Sequence, residues 1–372
     1  MLKKLLAIVL ALSMAFAAVA CSAGDTSETE TAATTDTTAA ETTASDTTAA
    51  AETTEETTFD YPVKTITMIV PYGAGGTTDT VGRQLAAALG NVLGVSVVVE
   101  NQSGASGSIG CQAVLDADKD GSVVLFTAES LGTQRVMGIS NLSYADFSPI
   151  MLTANDPKVI VVAGDSEYND IQSLLDAISA APNTIQMAYT GPGGSGHVQA
   201  LIMNHFGYEP ALTAYTSGSD CIVATLGNQV VFTNSNYSTV ASYIESGDLK
   251  LLAVCSTERM AQYPDVPALS EIIENSEDYM SIPYTPLSML VAADVPEDVQ
   301  DMLRAACAIA VQDPDFNAFM ENNNVDKLYE KYTTVDEMNA FYSSWESTVS
   351  WLLYDAGAAS FSPEQFGIAK PN

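Results

Sequence analysis

The stretch Thr65-Ile66-Thr67-Met68-Ile69-Val70-Pro71-Tyr72-Gly73-Ala74-Gly75-Gly76-Thr77-Thr78-Asp79 decides the fold. Its first six residues are mostly apolar and read as a short strand stopped at Pro71. A glycine-rich turn follows. Val81, Leu85, Ala88, Leu89 and Val92 then recur at spacings of three and four, the mark of one helical face, and Gly94 ends it. Strand, glycine turn and helix open an α/β unit and leave backbone N–H groups free at a helix N-terminus, where an anion can bind. Thr77, Thr78 and Asp79 are also ordinary helix-capping types, so this loop alone reads equally as a plain turn.

Outward from it the pattern repeats. Residues 95–99 are valine at every position but Ser96, a β-branched run as expected of a strand buried in a parallel sheet. Gly104-Ala105-Ser106-Gly107-Ser108-Ile109-Gly110 opens another helix. Residues 123–127 and 159–163 read as strands, 171–180 as a helix and 184–190 as a strand. Gly191-Pro192-Gly193-Gly194-Ser195-Gly196-His197 is a second glycine-rich loop, followed by a helix through Val198, Leu201 and Ile202. Strands at 229–233, 249–255 and 287–292, an amphipathic helix through Val299, Leu303 and Ala306, and a long helix at 335–353 complete the core. Such alternation predicts the α/β class. No internal sequence repeat is visible. Two glycine loops facing each other across a cleft would hold an anion with two ends.

The second loop invites other readings. Gly191, Gly193 and Gly196 satisfy G-x-G-x-x-G after a strand, with Glu209 downstream, as in dinucleotide folds. Pro192 is awkward in that tight turn. Ser195 and His197 suggest a nucleophile and base, but two residues apart they pair poorly and no G-x-S-x-G elbow surrounds the serine. No metal-ligand spacing appears, and no cofactor or catalytic residue is expected.

Both ends of the balance sheet of charge point the same way. The 372 residues carry 46 acidic and 13 basic side chains and a formal −33, which excludes a nucleic-acid partner and a polybasic lipid surface. Residues 1–20 read as a signal peptide: Lys3 and Lys4, then an apolar run ending in small residues. Ala18-Val19-Ala20-Cys21 resembles a bacterial lipobox, which implies a lipid on Cys21. Residues 21–60 read as a disordered tether, since 22–60 hold 15 Thr, ten acidic residues and neither Lys nor Arg. As a random coil it would reach roughly 30–40 Å. No later stretch has the 18 apolar residues in a row of a spanning helix. Cys111, Cys221, Cys255 and Cys307 are widely spaced and read as free buried thiols, with Cys221 and Cys255 the pair to check.

The two motifs together resemble the Bug family, the extracytoplasmic solute receptors of tripartite tricarboxylate transporters. Residues 66–79 resemble its I-x-hydrophobic-V-P-[FY]-x-x-G-G-x-x-D pattern. Val97-Val98-Val99-Glu100-Asn101-Gln102-Ser103-Gly104-Ala105-Ser106-Gly107-Ser108-Ile109-Gly110 resembles its next segment. Asp146-Phe147-Ser148-Pro149-Ile150, the loop from Tyr189 to His197, and Tyr263-Pro264-Asp265-Val266-Pro267 resemble three further elements, so the likeness spans about 61–357. It implies a periplasmic-binding-protein type II-like clamshell, with 61–163 plus 285–372 as one α/β domain, 164–284 as the other, and crossings near Ala163 and Tyr284. A small organic carboxylate would lie between them, and membrane permease subunits would be the partner. The resemblance carries ligand contact onto Tyr72, Gly75, Gly76, Thr77, Thr78 and Asp79 of the first loop, Gly194, Ser195, Gly196 and His197 of the second, and Ser130. Asp79 could instead receive a ligand amine. The chain departs from the family at Gly227-Asn228-Gln229-Val230-Val231 and at Tyr215-Thr216-Ser217-Gly218, near the cleft in that family. The expected function is capture of a carboxylate at the outer face of the cytoplasmic membrane and delivery to the permease. The alternatives are a sensor feeding a kinase and, less favoured, an exported hydrolase acting through Ser195 and His197.

Overall fold

A computed structural model describes residues 59–282 and 284–371. The signal peptide, Cys21 and nearly all of the tether lie outside the described residues. No helix among the described residues is long and apolar enough to cross a membrane.

Two mixed sheets organise the chain. Strands β1 (Thr65–Val70), β2 (Ser96–Asn101), β3 (Val123–Thr127) and β4 (Phe147–Asn155) belong to the first, with β10 (Pro286–Ala292) and β11 (Asp326–Lys327). The second holds β5 (Lys158–Ala163), β6 (Gln186–Tyr189), β7 (Ala211–Ala214), β8 (Phe232–Asn236) and β9 (Leu249–Val254). Spatial order is β11-β4-β10-β3-β1-β2 in one and β7-β6-β8-β5-β9 in the other.

These orders hide a likeness that the residues do not display. In the first sheet β1 lies between β2 and β3, parallel to both, and β10 runs antiparallel to β3. In the second, β6 lies between β7 and β8, parallel to both, and β5 runs antiparallel to β8. In each sheet the first parallel strand is flanked by the next two, so the connections leaving its carboxyl end diverge and open a crevice there. Both glycine loops sit at that switch point.

Helices are α1 (Thr77–Leu93), α2 (Ser108–Asp116), α3 (Ile171–Ala180), α4 (Ser195–His205), α5 (Gly218–Leu226), α6 (Tyr237–Ser246), α7 (Glu277–Met280), α8 (Glu297–Ala310), α9 (Pro314–Asn322) and α10 (Val335–Asp355). The face of α1 read from its spacing is the buried one: Val81, Leu85 and Leu89 are wholly enclosed. Gly94 ends it in the left-handed region, its N–H donating to the Gly90 carbonyl. Asp170 caps α3 by accepting from the Ser173 N–H at 2.7 Å. Thr334 and Glu337 form a reciprocal capping box on α10.

Two expectations need correction. Strand β2 is an edge strand, not a buried one: it pairs only with β1, and Val98 is 50% exposed while Val97 and Val99 pack inward. A β-branched run has the same composition at an edge, where one face packs on a helix and the other meets water. The chain also passes to the second sheet between Asn155 and Lys158, ahead of the expected crossing near Ala163, because β5 lies inside the second sheet between β8 and β9. It returns between α7 and β10, the region of Tyr284. All four described cysteines are buried and free.

Candidate functional site

The glycine loops end in the same backbone geometry. Gly75 and Gly193 have φ of 78° and 79°, and the following Gly76 and Gly194 both have φ −78° and ψ 169°. Left-handed φ favours glycine at the first position. Gly76 and Gly194 are the caps of α1 and α4, and neither helix has a side-chain cap. Thr77, Thr78 and Asp79 are therefore first-turn residues rather than caps.

Between the loops lies a small cavity of about 60 Å3. It is bounded by residues of both sheets, with the amino ends of α1, α4, α5 and α6 arrayed around it. Aligned helix N-termini concentrate positive potential. Its two walls also meet directly. Ser219 Oγ donates to the Ala74 carbonyl at 2.9 Å, Ser106 Oγ to the Pro192 carbonyl at 3.0 Å, and Thr133 Oγ1 to the Gly193 carbonyl at 2.9 Å. These three bonds tie the two walls together beside the cavity.

Of the expected contact residues, Tyr72, Gly76, Thr77, Thr78, Asp79 and Ser195 line the cavity. Gly75, Ser130, Gly194, Gly196 and His197 do not line it, and their contacts give them supporting places. Ser130 hydrogen-bonds the Tyr72 hydroxyl and donates to the Ser106 carbonyl at 3.1 Å, so it braces Tyr72 from behind. Gly75 donates its N–H to Asp79 Oδ2 at 2.9 Å. Gly196 packs against Tyr189 and Asn234 so closely that a Cβ would stand 3.0 Å from Asn234 Oδ1. His197 Nδ1 accepts from the Gly193 N–H at 3.1 Å, and burial holds its pKa below the usual value. It is a neutral ring locking its own loop. With that nitrogen engaged and Ser195 on the cavity wall, no hydrogen bond joins the two side chains among the described residues.

Asp79 is equally committed. Besides the Gly75 N–H it accepts from Asn101 Nδ2 at 3.0 Å and faces the Arg83 guanidinium at 2.8 Å. Burial would raise its carboxyl pKa, but Arg83, the Gly75 N–H and Asn101 outweigh burial and hold it below the ordinary value. Asn101 also donates to the Tyr72 carbonyl at 3.1 Å. The carboxylate thereby clamps the first loop to α1 and β2, which leaves it little capacity for a ligand amine.

The charged groups that matter most here were not among the expected ones. Glu129 follows β3, is 5% exposed, and its Oε1 accepts from the Ser195 N–H at 2.5 Å, at the start of α4. Burial pushes its carboxyl pKa up, against the pull of Lys158 and of that N–H. Lys158 opens β5, is 3% exposed, and among the described residues its ammonium makes only a long bond, 3.4 Å, to the Asn234 carbonyl. Burial lowers its pKa, opposed by Glu129 and Asp156. Among the described residues no carboxylate lies within 4.0 Å of its ammonium. Asp156 is fully enclosed and accepts from Thr77 Oγ1, Ser238 Oγ and, at 3.3 Å, the Ser238 N–H at the head of α6. Burial, partly offset by Ser238 and Thr77, raises its pKa to about 6. Antiparallel pairing brings these together, since Lys158 is registered with Asn236 at the carboxyl end of β8. A signal did exist in the sequence: a lysine heading an otherwise apolar strand in a chain poor in cations. Thr216, Ser217 and Gly218 also line the cavity, whereas the Gly227–Val231 departure lies in a turn away from it. No cluster suited to a metal occurs among the described residues.

Residues 81–341 match the model of the tripartite tricarboxylate transporter family receptor, TctC. BugT of Bordetella pertussis is 30% identical over 217 residues, which cover 57% of this chain and 67% of that protein. The structure of the periplasmic binding protein BugD superposes with a TM-score of 0.74 at 27% identity, over 80% of this chain and 99% of that one. MatC of Rhodopseudomonas palustris with bound malate gives 0.72 at 20% identity, over 79% and 100%. MatC bears on the fold alone, which is that of the periplasmic binding proteins. The family is one of solute-binding receptors rather than enzymes. By sequence and by fold, the chain belongs to the tripartite tricarboxylate transporter receptor family.

Proposed function

We propose that the protein captures a small organic carboxylate in the cavity between its two glycine loops and delivers it to a permease of the tripartite tricarboxylate type. The observation that carries this reading is the pair of loops, alike in backbone geometry, at equivalent switch points of two sheets and facing one cavity. Tyr72, Gly76, Thr77, Thr78 and Ser195 would contact the ligand, with Gly75, Asp79, Ser130, Gly194, Gly196 and His197 holding the loops. The halves around the two sheets would act as domains, closing about the segments near 156–158 and 281–285, and ligand would shift the balance toward the closed form. The amino-terminal signal, a lipid on Cys21 and the acidic tether would hold the receptor at the outer face of the cytoplasmic membrane.

The test is a thermal-unfolding screen of the purified full chain against small carboxylates, amino acids included. A ligand at 100 times its Kd stabilises by about 2.7 kcal/mol, a readily measured rise in midpoint. Failure of every member at millimolar concentration would overturn the reading.

A further inference from the structure

Thr77 is the first residue of α1 and lines the cavity, so its hydroxyl stands at that helix's uncapped amino end. Its hydrogen is already engaged. Thr77 Oγ1 donates to Asp156 Oδ2, as does Ser238 Oγ from the head of α6, and the two hydroxyl oxygens lie 2.9 Å apart. Asp156 Oδ1 accepts the Ser238 N–H at 3.3 Å. This node sits where the chain passes from one sheet to the other, and it joins α1 of one half to α6 of the other. Asp156 is fully enclosed behind Thr77 and does not itself line the cavity. A hydroxyl has one hydrogen, and a carboxylate can only accept. An ionised Asp156 therefore holds both hydroxyl hydrogens, and Thr77 offers a ligand lone pairs alone. A protonated Asp156 supplies a hydrogen of its own and releases one of the two.

We infer that Asp156 is a positioning residue that withholds the Thr77 hydroxyl hydrogen, and that a carboxylate entering at α1 is captured together with one proton, taken from solvent onto Asp156. This rests on the carboxylate-receptor reading and adds a linked proton to it. The surroundings of Asp156 leave it free to titrate. Burial raises its carboxyl to about 6, against Ser238, Thr77 and the charge of Lys158 on β5. Glu129 acts on Lys158 from the far side. Asp79, in the first turn of α1, is turned onto Gly75, Asn101 and Arg83. On α6 the Tyr237 hydroxyl goes to Tyr263, and the second crossing presents the neutral Thr285, bonded to Asn155 and Asn236. An anion arriving one hydroxyl away from Asp156 repels its ionised form in a desolvated site, and the released Thr77 hydroxyl donates to that anion; both favour the protonated acid. Linkage then sets the sign. Affinity is flat below the free value of Asp156 and weakens above it, by up to about tenfold per pH unit.

The experiment is titration calorimetry on the full chain from about pH 5 to 8, with acetate, oxalate, malonate, succinate, malate, citrate and the twenty standard amino acids as probes. Each probe that binds is measured again in buffers of different ionisation enthalpy, which counts the protons taken up. We expect the wild type to take up about one proton near pH 7 and to bind about five- to tenfold more weakly per unit above about pH 6.5. Asp156→Asn, whose amide gives the node a hydrogen at every pH, should bind about tenfold more tightly than the wild type at pH 8 and lose both slope and uptake. The probe's own protonation is common to both proteins and cancels. Ser238→Ala removes a bond that favours the carboxylate, so the slope should begin at higher pH; this keeps the test open if Asp156→Asn does not fold. Weaker binding by Asp156→Asn, or slopes equal in all three proteins, overturns this inference and leaves the carboxylate receptor standing. Binding by no probe overturns both.

Discussion

Replacing Asp79 by asparagine tests the clamp that shapes the first glycine loop. The side chain is 4% exposed and gathers the Gly75 N–H at 2.9 Å, Asn101 Nδ2 at 3.0 Å and Arg83 at 2.8 Å. An amide keeps one acceptor and turns an N–H2 toward a donor, so at least one bond to a charged acceptor is lost, about 1.5–3 kcal/mol. Arg83 is 48% exposed and rehydrates, which limits its part to about 0–1 kcal/mol. The total is about 2–4 kcal/mol. With roughly 310 ordered residues at about 2.1 cal/mol/K each, the unfolding entropy is about 0.65 kcal/mol/K, so the midpoint should fall by about 3–6 °C. The sign with pH is also set. A carboxyl held below its unfolded value stabilises the fold above about pH 4 and loses that contribution as pH falls through the folded value. Calorimetric scans of both proteins should therefore show a constant gap down to about pH 4 and converge only below it, as pH falls through the depressed folded value. A drop of less than 1 °C at neutral pH, or a gap that widens in acid, would refute the reasoning.

Three further outcomes are expected. Gly73→Ala sets a Cβ 2.8 Å from Ser217 Cβ across the cleft, so closure should cost about 1–3 kcal/mol, read as a Kd raised about 5- to 150-fold with the unliganded midpoint unmoved. Thr334→Ala removes the hydroxyl that accepts from the Glu337 N–H and should cost about 1 kcal/mol in denaturant unfolding, without altering ligand affinity. Cys111, Cys221, Cys255 and Cys307 are buried with thiol pKa values raised to about 12 by burial, so maleimide labelling mapped by mass spectrometry should find them unreactive until the protein unfolds.

The two glycine loops, the helices that follow them and the α/β class were legible from residue order alone, because each rests on local chemistry. Periodicity placed the buried face of α1, and a left-handed glycine marked its end. Motif resemblance likewise led to the family that the comparisons bear out. What residue order could not convey was which strands become neighbours. Residues 95–99 read as a buried strand until pairing left β2 at an edge, and β5 read as part of the first half until it lay between β8 and β9. A strand's pattern records how much of it is covered, not by what.

The site divides along the same line. Gly75, Gly76, Thr77 and Ser195 are where a loop before a helix must put them, since cap geometry is a matter of a few consecutive residues. Glu129, Lys158 and Asn234 come from different strands or the segments at their ends, and only the antiparallel register of β5 on β8 and the approach of the two sheets set them around one cavity, with Asp156 behind Thr77. Neighbouring charges and burial then decide what each can do, and both depend on distances through space that no local pattern encodes.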